Sequence, residues 1–186
     1  LVDYTIEKNI GGFNHLIGIP GTVGGAVYGK IAAYGDDITD FLESVDCFNG
    51  QKIITLSKKD CGFGYRDSAF KQTKFTIISI TFNNLQSKDS QILKDESTKV
   101  MERRLMLYPP TVKCPGSFFK NTRIQDAPEN IMEVLEQKMN PEIFARIKKT
   151  VDSYGKIPSG ALLENLGALG DKLNQIQISK TQKVAS

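Results

Sequence analysis

The chain has 186 residues, 40% of them hydrophobic and 24% charged, with 16 glycines and 7 prolines; this balance excludes a disordered or fibrous class and suffices for a buried core. Its 24 basic and 21 acidic residues leave a formal net charge of +3 spread along the chain, too even for a dedicated nucleic-acid surface. No apolar run is long enough to cross a bilayer and the first residues lack signal-peptide order, so the sequence predicts a cytoplasmic protein with neither a membrane nor a nucleic-acid partner.

In chain order, Val2, Ile6 and Ile10 have a helical spacing that ends at the Gly11-Gly12 pair. The following stretch, GIPGTVGGAVYGKIAAYGDDI, is so rich in glycine that tight turns and close backbone packing are expected rather than a regular element. FLESVDCFNGQKIITL reads as two short strands about the hairpin signal Asn49-Gly50. CGFGYRDSAFKQT reads as a loop, and KFTIISITFNNL as a further strand. SKDSQILKDESTKVMERRL, with Ile92, Leu93, Val100 and Leu105 at roughly helical intervals, predicts a linker helix closed by Pro109-Pro110. TVKCPGSFFKNT is a loop-to-strand candidate. PENIMEVLEQKMNPEIFARIKKTVDSYG has helical periodicity broken at Pro141, and GKIPSGALLENLGALG reads as a short helix. There is no internal repeat and no low-complexity tract.

Three cysteines without CxxC spacing, Cys47, Cys61 and Cys114, argue against a disulfide framework or a thiolate zinc site and are expected to be reduced. A single histidine, His15, removes a Ser-His-Asp hydrolase and a multi-histidine metal centre; no metal is expected.

Three segments could carry chemistry. In GIPGTVGGA, residues 18–26, glycines would let the main chain approach an anion, but the spacing is neither GxxxxGK[ST] nor GxGxxG, and a merely structural turn explains it at least as well. In GYRDS, residues 64–68, a permanent guanidinium sits beside a phenol, suited to an anionic substrate or to developing negative charge; the plainer account is a surface Arg66 paired with Asp67. In GSFFKN, residues 116–121, a strand would place Ser117, Phe119 and Asn121 on one face and Phe118 and Lys120 on the other, and Ser117 could donate a proton; taken alone, a turn serine remains the simpler account.

Taken together and in order, GIPGTVGGA, AAYG, LSKKDCGFGYRDSAF, PGSFFKN and IPSGALLENLGALG resemble the successive signatures of the UDP-N-acetylenolpyruvoylglucosamine reductases, from about Gly18 to Gly170. The resemblance implies an α+β fold: part of an FAD-binding domain of the vanillyl-alcohol-oxidase type over residues 1–87, a linker helix over 88–108, and a smaller α+β substrate-binding domain from 109 to 186. It further implies an NADPH-dependent flavoenzyme of peptidoglycan precursor synthesis, in which reduced FAD passes hydride to the enolpyruvyl group of a UDP-sugar and a protein group protonates the product. By the same resemblance Gly18, Ile19, Pro20, Gly21, Thr22, Gly24 and Gly25 contact FAD. Arg66 stabilises the enolate, Ser117 donates the proton, and Tyr65, Lys120 and Asn121 meet the substrate.

The chain departs from the family pattern where NAGAYG is usual and Lys30-Ile31-Ala32-Ala33-Tyr34-Gly35 stands, and near Leu173–Ser179, where a Gly-Gly pair and then a His are common and Gln182 replaces the His. Family members also carry an earlier Gly-rich FAD loop and a later catalytic glutamate. Neither is visible here, so truncation at both ends is expected, with weak FAD binding and poor turnover by a chain of this length. Two rivals stay in view: another FAD-linked oxidoreductase of the same superfamily, and a non-catalytic UDP-sugar or nucleotide-binding remnant.

Overall fold

The structure, a computed structural model, describes residues 1–107, 117–173 and 176–178. It mixes helix and sheet, in agreement with the α+β class, and divides into two compact units, Leu1–Pro109 and Pro110–Ser186. Among the described residues no helix is long and apolar enough to cross a membrane.

The first unit is built on a three-stranded antiparallel sheet in which β3 (Leu42–Phe48) lies between β4 (Ile53–Ser57) and β5 (Thr76–Phe82). The hairpin forms where Asn49-Gly50 predicts it, although its loop takes four residues: the Asn49 side-chain oxygen accepts hydrogen bonds from the backbone N–H groups of Gln51 and Lys52, both at 2.9 Å. Period-two alternation buries Val45 and Cys47 against Leu56 and Ile54 of β4. On β5 the pairing passes from Asp46–Ser79 to Cys47–Ile77, so Ile78 is an extra residue and is pushed outward, 57% exposed. The bulge keeps Ile77 and Ile80 together on the core side. On the outer face Asp46 accepts hydrogen bonds from Thr55 and Ser79, which hold its carboxyl below its ordinary value.

Phe13 is fully buried beneath this sheet and meets Phe82 and Phe41 edge-to-face, with ring centroids 4.9 and 5.7 Å apart. Burial of such a ring contributes about 1.5–3 kcal/mol and each aromatic pair about 0.5–1.5 kcal/mol more. Helix α1 (Val2–Glu7) is shorter than its apolar spacing suggests. Asn9, in the left-handed region at φ 58°, ends it before the Gly-Gly pair, and Gly11 instead donates its N–H to Gln86 O at 2.9 Å.

One expectation fails here for a physical reason. The glycine-rich stretch holds a regular element after all, α2 (Val23–Gly29), because the Thr22 hydroxyl accepts from Gly25 N at 3.0 Å and Val27 is completely buried; cap and burial together outweigh three glycines. Helix α3 (Ser90–Leu107) forms as expected, but only part of the apolar set named in the sequence turns inward. Ile92 and Leu105 are exposed, at 50% and 46%, whereas Leu93 and Ser97 are buried. Ser97 donates to Asn14 O, and Glu96 accepts from Asn14 Nδ2 and Lys88 Nζ, so polar bonds seat this helix on the 3-10 turn Asn14–Leu16.

The second unit gathers α4 (Ile131–Lys138), α5 (Pro141–Tyr154) and α6 (Ser159–Asn165) beside the short pair β6 (Thr122–Arg123) and β7 (Lys156–Ile157). The break at Pro141 is where the sequence places it. Asn140 caps α5 by accepting from Glu142 N and Ile143 N, with proline in the first turn, where its missing N–H costs nothing. Ile143, Ile147 and Val151 recur at helical spacing and pack with Met139, Ile157 and Ala161. The strand pair β8 (Lys172–Leu173) and β9 (Ile176–Gln177) follows. The altered segment's Asn174, Gln175 and Ser179, and Gln182 beyond it, lie outside the described residues, as do Cys114 and Gly116.

Cys47 and Cys61 are free thiols with no accessible surface. Burial raises both, Cys61 to about 11, with Cys47 and Asp60 adding to the effect. At pH 8 roughly one part in a thousand of Cys61 would then be thiolate. Iodoacetamide at pH 8 should therefore leave both residues unlabelled in the folded protein and label both in denaturant, read by peptide mass spectrometry; rapid labelling of the native protein would contradict their burial.

Candidate active site

The residues singled out in the sequence fall in both units. In the first unit, the segment from Gly18 runs into α2 with Gly18 at φ 73° and Gly21 at φ 123°, conformations that L side chains rarely adopt. Gly21 is exposed, and a Cβ built there would meet no atom within 4 Å, so the main chain is open to close approach by a flat ligand. Gly18 differs: a Cβ there would fall 2.9 Å from Met101 Cε and 3.3 Å from Arg104 Cδ, because the loop lies against α3. Ile19 packs on the core and Thr22 is spent on capping. Since Gly25 N–H already bonds the Thr22 hydroxyl, it is engaged within the loop. This arrangement suits main-chain contact at Gly21 better than a phosphate cradle closed by Gly25.

Beyond α2 the departure segment folds as a hairpin, β1 (Ala32–Ala33) against β2 (Asp36–Asp37). Its two-residue turn places Tyr34 at φ 53° and Gly35 at φ 97°, the two positive angles of a type I′ turn. His15 Nδ1 lies 3.0 Å from an Asp36 carboxylate oxygen, close in distance but off the hydrogen-bonding direction.

GYRDS is a tight turn in which Gly64 and Asp67 exchange both backbone hydrogen bonds, at 3.0 and 3.3 Å, with Tyr65 and Arg66 at the corners. Arg66 takes φ 53°, unusual for a residue with a long side chain and the kind of strain that persists where surrounding bonds over-determine it. Those bonds are visible. The Arg66 guanidinium donates from Nη1 to Lys30 O at 3.1 Å and from Nη2 to Ala32 O at 3.0 Å, with its carbon 5.9 Å from the Tyr65 ring. Buried Ser68 donates to Tyr28 O at 2.7 Å. Arg66 is thus half-buried and tied to the hairpin rather than paired with Asp67, whose carboxylate accepts from Ser68 N. The arginine turn is thus bonded both to the end of α2 and to the hairpin.

In the second unit residues 117–121 do not form a strand; only Thr122–Arg123 does. Ser117, Phe118, Phe119 and Lys120 are all exposed, so the expected two-faced alternation is absent. The segment is instead fixed at its end: Ser159 at the start of α6 donates its N–H to Asn121 Oδ1 at 3.1 Å and its hydroxyl to Lys120 O. Asn121 therefore spends its side-chain oxygen on positioning. Among the described residues no group of three or more His, Cys, Asp or Glu side chains is placed to hold a metal ion.

Known proteins match this chain over almost its whole length. It is 32% identical over 179 residues to the UDP-N-acetylenolpyruvoylglucosamine reductase of Solibacter usitatus, covering 96% of the chain and 54% of that protein. It is 33% identical over 189 residues to the reductase of the same name from Pseudoalteromonas atlantica, covering 91% of the chain and 53% of the relative. The chain belongs to the UDP-N-acetylenolpyruvoylglucosamine reductase family. A solved structure agrees in fold: that of UDP-N-acetylenolpyruvylglucosamine reductase (MurB) from Thermus caldophilus superposes with a TM-score of 0.67 at 21% identity, covering 96% of this chain and 53% of that one. No model of a protein family matches. The chain spans about half the length of the curated relatives it matches.

Within this reductase-family chain the fold adds residues that motif reading passes over. Tyr34 is flanked by Arg103 and Arg104 of α3, whose guanidinium carbons lie 5.2 and 5.1 Å from its ring. Ser159 anchors the Ser117 segment. A sequence signal existed for Arg104: on a helix it falls on the same face as Leu93, Ser97 and Met101, at intervals of three or four residues.

Proposed function

We propose that this chain supplies the flavin-loop, arginine and serine parts of an enzyme that reduces the enolpyruvyl group of UDP-N-acetylglucosamine enolpyruvate to UDP-N-acetylmuramate, a step of peptidoglycan precursor synthesis. The observation that carries the reading is the fixing of Arg66 by the Lys30 and Ala32 carbonyls, in a chain of this reductase family. FAD, reduced by NADPH, would supply hydride to one carbon of the substrate double bond. The residues fit that cofactor through the exposed glycine backbone at Gly21, with Gly18, Ile19, Pro20, Thr22, Gly24 and Gly25 shaping the loop around it.

Arg66 meets the negative charge that develops on the enolpyruvyl group as hydride arrives, using donors beyond the two bonded to backbone carbonyls. Ser117 then gives its proton to the second carbon, completing addition of two hydrogens across the double bond, and its exposed oxygen regains a proton from solvent. Tyr65, Lys120 and Asn121 contact the UDP-sugar. Use of NADPH fits a cytoplasmic location.

The direct test is an optical one: native-length protein should carry the yellow absorbance of bound flavin and oxidise NADPH in a manner dependent on the enolpyruvyl sugar. Protein without flavin, or NADPH oxidation indifferent to that sugar, would sink the reading.

A further inference from the structure

Arg104 has no use in the reading above, yet its surroundings are those of a binding residue. It lies near the end of α3, half-buried, with its side chain against Gly18 of the glycine loop and its guanidinium carbon 5.1 Å from the Tyr34 ring. Its Nε and Nη2 are buried and have no hydrogen-bond partner among the described residues. These two nitrogens form one edge of the guanidinium, the two-pronged donor edge that matches a pair of oxygens on a carboxylate or phosphate.

Leaving charged donors buried and unbonded costs folding free energy, and native structures rarely do so without a reason. The tyrosine face offsets part of the charge but cannot accept at the edge, where both N–H groups point. Tyr34 is itself held by the left-handed turn of the β1–β2 hairpin, whose strand β1 is anchored by Arg66. The guanidinium therefore lies over an aromatic ring while its aliphatic stem lies against the loop. The exposed neighbour Arg103, over the same ring, has no such confinement.

We infer that the Nε–Nη2 edge of Arg104 binds a two-oxygen anionic group of a ligand seated at the Gly18 end of the glycine loop. The inference rests on the proposed function for the identity of that ligand, which is either a phosphate of the flavin cofactor or the carboxylate of the enolpyruvyl sugar. Helix α3 is then a wall of the ligand site.

The test uses native-length protein and calorimetric titration with three probes: FAD on flavin-stripped protein, UDP-N-acetylglucosamine enolpyruvate, and UDP-N-acetylglucosamine, which lacks the carboxylate. Arg104→Met should weaken one ionic partner by about tenfold or more, and Arg104→Lys, which keeps the charge but loses the fork, by less. A loss confined to FAD identifies the phosphate; a loss confined to the enolpyruvyl sugar identifies the carboxylate. Arg103→Met should leave all three within about twofold. Because the orphaned edge is a cost without ligand, the ligand-free melting temperature of Arg104→Met should stay level or rise. Unchanged affinities for all three probes would overturn the assignment, as would a melting temperature that falls while affinities do not change. If the parent protein takes up no flavin but Arg104→Met still weakens the enolpyruvyl sugar, the proposed function fails while the Arg104 assignment stands.

Discussion

Replacing Arg66 by methionine should lower product formation by about a hundred- to a thousandfold while reduction of bound flavin by NADPH stays within about twofold. The separation follows from where charge develops. On the proposed reaction, flavin reduction would need no cation beside the substrate; in the second half-reaction the enolpyruvyl group would become anionic, and a preorganised donor there would lower the barrier because no reorganisation is needed when the charge appears. Preorganisation is what the structure describes, since two of the five guanidinium N–H donors are committed to Lys30 O and Ala32 O. Arg66→Lys keeps the charge but cannot span both carbonyls, so its activity should fall between the parent and Arg66→Met. Single-turnover measurements of the two half-reactions, with thermal melts of each variant, check this. A parallel fall in both half-reactions with a lowered melting temperature would make Arg66 a tether of its turn and nothing more.

Ser117→Ala carries the second large effect, a loss of about a hundred- to ten-thousandfold in product formation, the range expected for removing a positioned proton donor. Flavin reduction should again be nearly intact, and so should stability, because Ser117 is exposed and its replacement removes no buried group. The proposed role would require position, which the segment could take from further along, where Ser159 holds Lys120 and Asn121 at the start of α6. Equal loss in both half-reactions would remove the proton-donor role.

The reading of this chain from its sequence was most successful where the information is local. Asn49-Gly50 makes its turn because Asn supplies a side-chain oxygen two and three residues ahead and Gly tolerates φ 97°. Asn140-Pro141 starts its helix because the cap and the proline act within a single turn. The GYRDS turn closes on its own backbone bonds, between residues three apart. In each case the atoms that decide the conformation are near neighbours in the chain, so composition and spacing suffice.

What the sequence could not supply are contacts between distant segments. Arg66 is linked to carbonyls 36 and 34 residues earlier, so nothing near GYRDS distinguishes it from a surface arginine paired with Asp67. Ile78 looks like core by its type, and a bulge set by pairing with β3 turns it outward. Helix α3 is legible as a helix, yet its inward face is set by contacts with Asn14, Gly18 and Tyr34 together with Leu93, while Ile92 and Leu105 of the same apolar pattern turn outward. By itself the sequence determined the family and the local turns, and it offered GYRDS and GSFFKN as candidates for chemistry. The tertiary structure alone decided that Arg66 is braced, that residues 117–121 are not a strand, and that Arg104 is buried with an unbonded edge, because burial and hydrogen-bond partners are fixed by packing across the chain and not by neighbours along it.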